Sequence, residues 1–480
     1  MTLFQKPPRY VFASMLCSAG GLLFGMDTGI IGPVTVMKGF TEQFGNQSAT
    51  VHGLLVSSIL IPAAISSFFA GFLADKLGRP KGISIGALIF GIGAALEAAA
   101  VHIGMFVVGR IVEGVGEGLY LAKIHSGLMI GFFTCYGTAR LESSFSWRTP
   151  FLILACLAVT FSAAALLWLV PSPRWLTIHG RHKEAAEIWE FLGVSPAERE
   201  KVEIEQDRGT ALENQVSREV IHIPSVDQMP SGSRKDQAKA VKDKLLDIFS
   251  KDVRSRTGLA VFLMGMQQLS GIDGVLYYAP MLFEQAGLAS SDSSFFASGV
   301  SAIVIFVVTI PALIWADRWG RRHSIIYGGI GISIVMFIMG ALYAGNAVHA
   351  SSGAGRWVVI VSIYIFAVIF SLSWAVGIKI YAAEIQPQRT RASATSLAHG
   401  SNWLTNFLVA LTTPILLSKS SFGAYFLFAG CTLITSLVCA VFMPETKGKS
   451  LDEIEEAFKS KSLGSGTFKK CLRLLTKSSS

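Results

Sequence analysis

The chain has 480 residues, 51% of them hydrophobic and only 15% charged, with 47 glycines. A soluble globular chain is typically about 25% charged, so this composition excludes an ordinary soluble domain and indicates a membrane protein, where glycine lets helix backbones approach closely. The net charge of +9 would suit a nucleic-acid binder. Its basic residues, however, sit in short loops between apolar runs and form no such motif, so nucleic acid is not an expected partner.

A membrane span needs about 20 mostly apolar residues. The N-terminal MTLFQKPPRY is short and basic and the apolar run after it reaches membrane length, so no cleavable signal peptide is expected. In chain order, spans are predicted at 10–31, 52–73, 83–101, 151–170, 258–283, 295–315, 325–344, 358–381, 394–417 and 424–443. The first contains GGLLFGMDTGIIG (20–32), with Asp27 at its middle. A charge there costs roughly 2.5–3.5 kcal/mol on insertion scales, which makes it a functional candidate in need of a partner. The stretch 105–137 is too long for one ordinary span and too short for two joined by a loop.

Lys and Arg fix the expected orientation. DKLGRPK (75–81), segment 174–256, DRWGRRH (317–323), PQRTR (387–391) and the basic C-terminus fall on one side, which is therefore cytoplasmic and holds both termini. The loops 32–51, 137–150, 284–294, 345–357 and 418–423 are poor in Lys and Arg. The sequon NQS at 46–48 falls in one of these outer loops, where glycosylation at Asn46 or a chance tripeptide are both open readings. Cys17, Cys135, Cys156, Cys431, Cys439 and Cys471 show no CxxC spacing and are read as inert core thiols.

Segment 174–256 has no run of membrane length. Pieces such as HKEAAEIWEFL (182–192) predict short amphipathic helices, and 225–240 reads as a flexible connector. The division is thus an N-terminal bundle at 1–173, a cytoplasmic linker at 174–256, a C-terminal bundle at 257–444 and a cytoplasmic tail at 445–480. The halves echo each other, DKLGRPK with DRWGRRH and PSPRWL (171–176) with PETKGKSL (444–451). A tandem repeat across a long hydrophilic loop is the organisation of major facilitator transporters.

These motifs, with WRTPF (147–151), QQLSGIDGVLYYAP (267–280), AEIQPQRTR (383–391) and NW (402–403), resemble those of the sugar porter family over almost the whole chain. The resemblance implies an all-α membrane protein with the major facilitator fold, two six-helix bundles rocking about a central site. It implies a plasma-membrane carrier acting as a monomer, taking up a small-molecule sugar with a proton, with no cofactor and no metal. By the same resemblance Asp27 faces Arg110 as the proton-coupling pair. The physical logic is a switch, because Arg110 keeps the carboxylate ionised and separation raises its proton affinity. A structural ion pair is the bland reading, and Glu113 and Glu117 compete for Arg110 at helical spacing.

Sugar hydroxyls both donate and accept, and an amide offers both partners. The resemblance places Gln267, Gln268, Asn402 and Asn406 around the sugar, with Tyr277 and Tyr278 closing it toward the outside. The bland reading of each amide is helix-to-helix glue. Two departures touch this site. Asp273 stands where the family has asparagine, and Lys379 where it has tryptophan. Together they imply an internal salt bridge or a site for an acidic sugar such as a uronate; alternatively Lys379 snorkels to the interface. On the cytoplasmic side Asp317, Arg321, Glu384 and Arg391 are implied to form a gating ion-pair cluster, and in the other half Asp75 and Arg79 lack their usual partners. Exposed pairs of this kind are worth about 0–1 kcal/mol each, which suits a latch.

Those partners belong between the fourth and fifth spans, where LYLAKIHSG (119–127) joins them almost directly. About two dozen residues are missing relative to the family. One merged helix would reverse every later span against the Lys/Arg distribution. A short re-entrant hairpin turning near Lys123 is therefore expected, with a breach on the cytoplasmic side and weak, uncoupled or absent transport. A non-transporting sugar sensor is the competing class. No enzyme is expected, since no nucleophile with a base, metal-ligand spacing or phosphate loop is present, and His125 and His399 stand alone.

Overall fold

A computed structural model describes residues 9–458 except 121–124, 142, 179, 195–198, 200–246, 251–252, 289–290, 316–317, 350–352, 388–389, 450–452 and 455. Every element among the described residues is a helix. The first half contains α1 (Arg9–Val36), α2 (Lys38–Phe44), α3 (Ala49–Ser57), α4 (Leu60–Leu77), α5 (Arg79–Ala98), α6 (Ile103–Tyr120), α7 (His125–Thr138) and α8 (Phe145–Trp168), followed by the short α9 (Pro173–Ile178) and α10 (His182–Leu192). The second contains α11 (Arg254–Gln268), α12 (Ile272–Tyr277), α13 (Ala279–Gln285), α14 (Ser291–Trp315), α15 (Arg321–Ala344), α16 (Ala354–Leu372), α17 (Trp374–Glu384), α18 (Arg391–Lys419) and α19 (Gly423–Phe442). Among the described residues nine stretches are long and apolar enough to cross a membrane.

In lipid, helices associate through close packing of small residues rather than through a hydrophobic drive. α5 and α6 show this directly. Gly93 lies against the Glu113 backbone, Gly109 against Glu97, and Gly116 against the Gly86 carbonyl and Phe90. Likewise Gly29 of α1 meets the Leu128 carbonyl of α7, and Gly127 and Gly131 of α7 meet Leu22 and Met26 of α1. One apolar core is built mainly from α11–α19, with Leu128 and Phe132 of α7 reaching into it, and the other mainly from α1–α8, with Tyr277, Tyr278, Phe295 and Ala410 reaching in.

Four features of the membrane helices sharpen or correct the sequence reading. The predicted span 258–283 is broken: Gly271 takes a left-handed φ of 85° between α11 and α12, and Tyr278 (φ −108°) separates α12 from α13, with Pro280 opening the latter. The span 358–381 breaks at Ser373 (φ −119°, ψ −69°), whose hydroxyl turns back to the Ile369 carbonyl at 2.6 Å. The span 52–73 changes direction at Ser58–Ile59 between α3 and α4. And the cysteines are not all core thiols: Cys135 and Cys439 are buried, but Cys17 and Cys156 are exposed, because a lipid-facing position accepts a thiol as readily as a packed one. Cys471 lies outside the described residues.

The anomalous stretch 105–137 forms two helices, α6 and α7, rather than one. Phe106 at the start of α6 packs edge-on against Phe40 at 5.6 Å and Trp147 at 6.3 Å. The start of α6 thus lies at the same end of the molecule as the start of α8, where Arg148 donates to the Ala100 carbonyl at 2.8 Å. α7 finishes at Thr138, just before α8, so it ends there too. Both helices therefore run inward from one end, as a hairpin requires; its turn at 121–124, with Lys123, lies outside the described residues.

The basic loops share the opposite end. Arg9 sits over the Phe191 ring at 4.3 Å, and Gly78 lies beside Trp175. Here α7, with 14 residues, rises only about 21 Å and meets α1 at Leu22, Met26 and Gly29. None of residues 9–19 is buried, whereas α1 is buried from Gly20 onward except at Leu22 and Val36.

At the end remote from the basic loops the halves close on each other. Gly32 of α1 lies directly against the Tyr277 carbonyl, and Gly53 of α3 against the Leu411 carbonyl. Thr35 and His52 hydrogen-bond at 2.8 Å, and His52 packs edge-on to Tyr278 at 5.2 Å. A Cβ at Gly32 has no room in this closed form. Gly32→Val is expected to destabilise closure by about 1–3 kcal/mol, measured as a rise in labelling of a cysteine placed at Thr35 by a membrane-impermeant thiol reagent.

Candidate functional site

The central cavity, about 610 Å³ counting its open mouth, lies where the halves meet. Gln267 and Gln268 of α11, Asp273 of α12, Lys379 of α17, Thr28 of α1 and Leu128 of α7 are among its walls. The chain breaks at Leu269–Gly271 between α11 and α12, and Asp273 lines the same cavity as the two amides.

The amides are held before any ligand arrives. Gln267 donates through Nε2 to the Trp374 carbonyl at 2.7 Å, the first residue after the α16–α17 break, and its Oε1 accepts from Asn402 Nδ2 at 3.3 Å. Gln268 Nε2 donates to Asn402 Oδ1 at 3.2 Å, while Gln268 Oε1 is buried with no hydrogen-bond partner. Asn402 also donates to the Met264 carbonyl at 2.7 Å. Asn402 is not among the residues that line the cavity and supports both glutamines, so the amides act as glue between α11 and α18 while also facing the cavity. Asn406 is buried beside Tyr277, with its Oδ1 unsatisfied. Tyr277 and Tyr278 are buried in the closed end, and Tyr278 donates its hydroxyl to the Ala410 carbonyl at 2.6 Å. Lys379 is among the residues that line the cavity, and it is exposed.

Next to the cavity lies a buried acid–base group. Gly25 and Thr28, the helical neighbours of Asp27, line the cavity, and Asp27 itself points away from it to Arg110. Arg110 Nη1 is 2.5 Å from Asp27 Oδ1, with the pair 0% and 2% exposed. The same nitrogen lies 3.2 Å from Glu113 and 4.0 Å from Glu97, and Nη2 donates to the Val56 carbonyl at 3.3 Å. Glu113 thus does compete for the guanidinium, as its spacing predicts. Glu97 was missed in the sequence, although a lone carboxylate in the apolar run GALIFGIGAALEAAA (86–100) was a legible signal.

At the basic end Arg321 Nη2 meets Glu384 Oε1 at 3.1 Å. Arg391 donates instead to the Gln386 carbonyl at 3.3 Å, so it does not join a carboxylate there. Asp317 and the Asp75 side chain lie outside the described residues, and Arg79 is exposed. A residue not singled out in the sequence, Glu445, completes the cluster. Its carboxylate accepts from the backbone N–H groups of Arg321 at 2.8 Å and Arg322 at 3.1 Å, capping the first turn of α15, and from those of Thr446 and Lys447, both at 3.1 Å. Thr446 donates its hydroxyl to Glu384 at 2.6 Å. The PETKGKSL segment (444–451), which echoes PSPRWL (171–176), was the available signal.

Burial alone would raise the Glu445 pKa, but its backbone hydrogen bonds outweigh this and hold it below the ordinary glutamate value. A depressed pKa contributes stability above the unfolded value, about 4.3, and that contribution disappears as pH falls through the native one. Glu445→Gln is therefore expected to lower the unfolding temperature at neutral pH and to weaken its decline between about pH 5 and 3, as followed by tryptophan fluorescence in detergent.

The two packed helical halves with a polar cavity between them are those of the major facilitator fold, as the likeness to solved structures given below shows. The family described as "Sugar (and other) transporter" matches residues 13–124 and 118–458, so the chain belongs to the sugar transporter family. The two matched stretches meet at 118–124, the junction of α6 and α7. Sugar transport protein MST3 of rice is 29% identical, over 94% of this chain and 90% of its own length. The high-affinity glucose transporter ght2 of fission yeast is 28% identical over 97% and 91%. Among solved structures, the inward open xylose transporter XylE of E. coli superposes with a TM-score of 0.71 at 22% identity, covering 94% of this chain and 99% of that one. The proton:xylose symporter XylE bound to 6-bromo-6-deoxy-D-glucose gives 0.68 at 25% identity, over 94% and 99%.

Proposed function

We propose that this protein carries a sugar across the plasma membrane by alternating access with a proton as co-substrate, as a monomer with both termini in the cytoplasm. In this reading residues 1–173 and 257–444 are the two rocking bundles, 174–256 the cytoplasmic linker and 445–480 the tail. The basic end is the cytoplasmic one and the sealed end faces outward. The observation that carries the proposal is the shared wall. Gly25 and Thr28 of α1 line the same cavity as Gln267 and Gln268, so the helix bearing Asp27 senses what the amides hold. Gln267 and Gln268 contact the sugar hydroxyls, Asn402 orients them, Asn406 and Tyr277 stand above, and Tyr278 seals the outer end. Arg321, Glu384 and Glu445 brace the cytoplasmic end of the second bundle.

The wall position of Lys379 beside Asp273 favours a second reading, in which the cargo is a sugar acid such as a uronate. Uptake of labelled hexoses, pentoses and uronates into proteoliposomes, with and without a pH gradient, tests both. Saturable uptake of a neutral sugar supports the first reading, preference for the uronate the second, and no saturable uptake of any saccharide refutes both. Gln267→Ala removes a bond to cargo and the brace to Trp374 together. It is expected to raise KM about 10-fold, corresponding to about 1.4 kcal/mol, in the same assay.

A further inference from the structure

Three carboxyls converge on one guanidinium nitrogen. Asp27 is 2.5 Å, Glu113 3.2 Å and Glu97 4.0 Å from Arg110 Nη1, and none of the four side chains is more than 2% exposed. With all three acids ionised, this group would hold two uncompensated negative charges out of reach of water. An unpaired buried ion costs several kcal/mol even after relaxation, and a buried group in that position neutralises itself by binding a proton. Geometry says which acids do so. Asp27 has the short, charge-assisted contact of an ionised partner. Glu97 is fully buried and lies in hydrogen-bonding contact with the Glu113 carboxyl, and two carboxyls meeting out of reach of water cannot both stay ionised.

The acids also belong to different moving parts. Glu97 on α5 and Glu113 on α6 are locked to Arg110 by the glycine contacts of Gly93 and Gly109, whereas Asp27 rides on α1. When Asp27 takes up a proton or α1 shifts, Arg110 stays behind with the two glutamates. Among the described residues the other ionisable groups acting on this site include Glu117 and Tyr120, farther along α6, and Tyr277 of α12.

We propose that Glu97 and Glu113 hold protons beside Arg110, and that one of them ionises to become the replacement counter-ion when Asp27 is protonated. The balance is one for one. The proton is handed from the glutamate to the aspartate: the O–H bond that breaks on Glu113 or Glu97 supplies the one that forms on Asp27, so the charge of the group is unchanged and the guanidinium never stands unpaired. This inference deepens the proton-coupled reading and rests on it for its role in transport, but the protonation itself does not require that any sugar be carried.

The test is therefore spectroscopic first. Infrared spectra of the purified full chain at neutral pH, with deuterium exchange to identify the bands, are expected to show carboxylic acid C=O stretches that are partly lost in Glu97→Gln and in Glu113→Gln. A variant that does not fold is replaced by the corresponding Asp substitution, which is expected to shift its band instead of removing it. No protonated-carboxyl band, or bands unchanged in both variants, overturns the proposal. In proteoliposomes the double variant leaves Asp27 as the sole counter-ion of Arg110. The pH midpoint of gradient-driven uptake is then expected to fall by about 1–3 units, and an unchanged midpoint overturns the handover. Intact bands in a protein that carries no saccharide support the proton sites and refute only the carrier reading.

Discussion

Asp27→Asn is expected to abolish accumulation of sugar against its gradient while leaving exchange of sugar across the membrane intact. With one proton per sugar, a pH difference of one unit is worth about 1.4 kcal/mol, or a tenfold accumulation. The variant should reach equal concentrations on both sides under the same gradient. Asparagine keeps the shape of aspartate but cannot exchange a charge with Arg110. Its fold should survive, because Arg110 retains Glu113 at 3.2 Å and Glu97 at 4.0 Å. Removing the cation is the harsher change: Arg110→Ala strands the buried carboxyls, and breaking a buried pair from one side costs about 3–5 kcal/mol. Counterflow and gradient-driven uptake, measured on the same proteoliposomes, separate the outcomes. Uphill uptake persisting in Asp27→Asn would remove this residue from coupling.

The second large effect is expected from adding residues. Inserting into the junction at 121–124 the segment that joins the corresponding spans of the rice relative, about two dozen residues, restores a span of ordinary length. It should cover the start of α1, where none of residues 9–19 is buried. The chain as it stands is expected to transport weakly or without coupling, because a cavity that stays open on one side lets cargo and protons pass separately. The extended chain is expected to couple them. Equal coupled rates for the two would refute this. A simpler readout is reaction of Cys17, exposed on α1, with a water-soluble thiol reagent, which should fall in the extended chain.

Much of this was legible in the chain. Apolar runs separated by charged turns located the membrane helices, since length and hydropathy decide spanning. The break between α6 and α7 followed from the odd length of 105–137, the sugar porter resemblance and the charge topology taken together. The breaks inside spans were hidden, because Gly271 and Ser373 sit within apolar sequence and only tertiary contacts, such as Gln267 to the Trp374 carbonyl, reveal what steadies the interrupted backbone. At the site, Asp27, Arg110 and the glutamine pair stood out as polar groups in apolar surroundings. Glu97 had the same mark but no motif around it, and its meaning depends on α5 meeting α6. Glu445 escaped because its role is to cap a distant helix, which no local pattern encodes. Asn402 was legible as a polar residue, but its place behind the glutamines was not.

The interruptions flanking α12 have a mechanical consequence. Gly271, with its left-handed backbone, and Tyr278 isolate a six-residue segment that carries Asp273 and Tyr277. Such a short rod between two joints can swivel while α11 and α13 stay seated, so its contact with Gly32 can part with little displacement of the surrounding protein. The contact of Gly53 with the Leu411 carbonyl joins one bundle to the other and parts only as they tilt, so the seal has a part that loosens locally and a part that answers to the stiffness of the lipid.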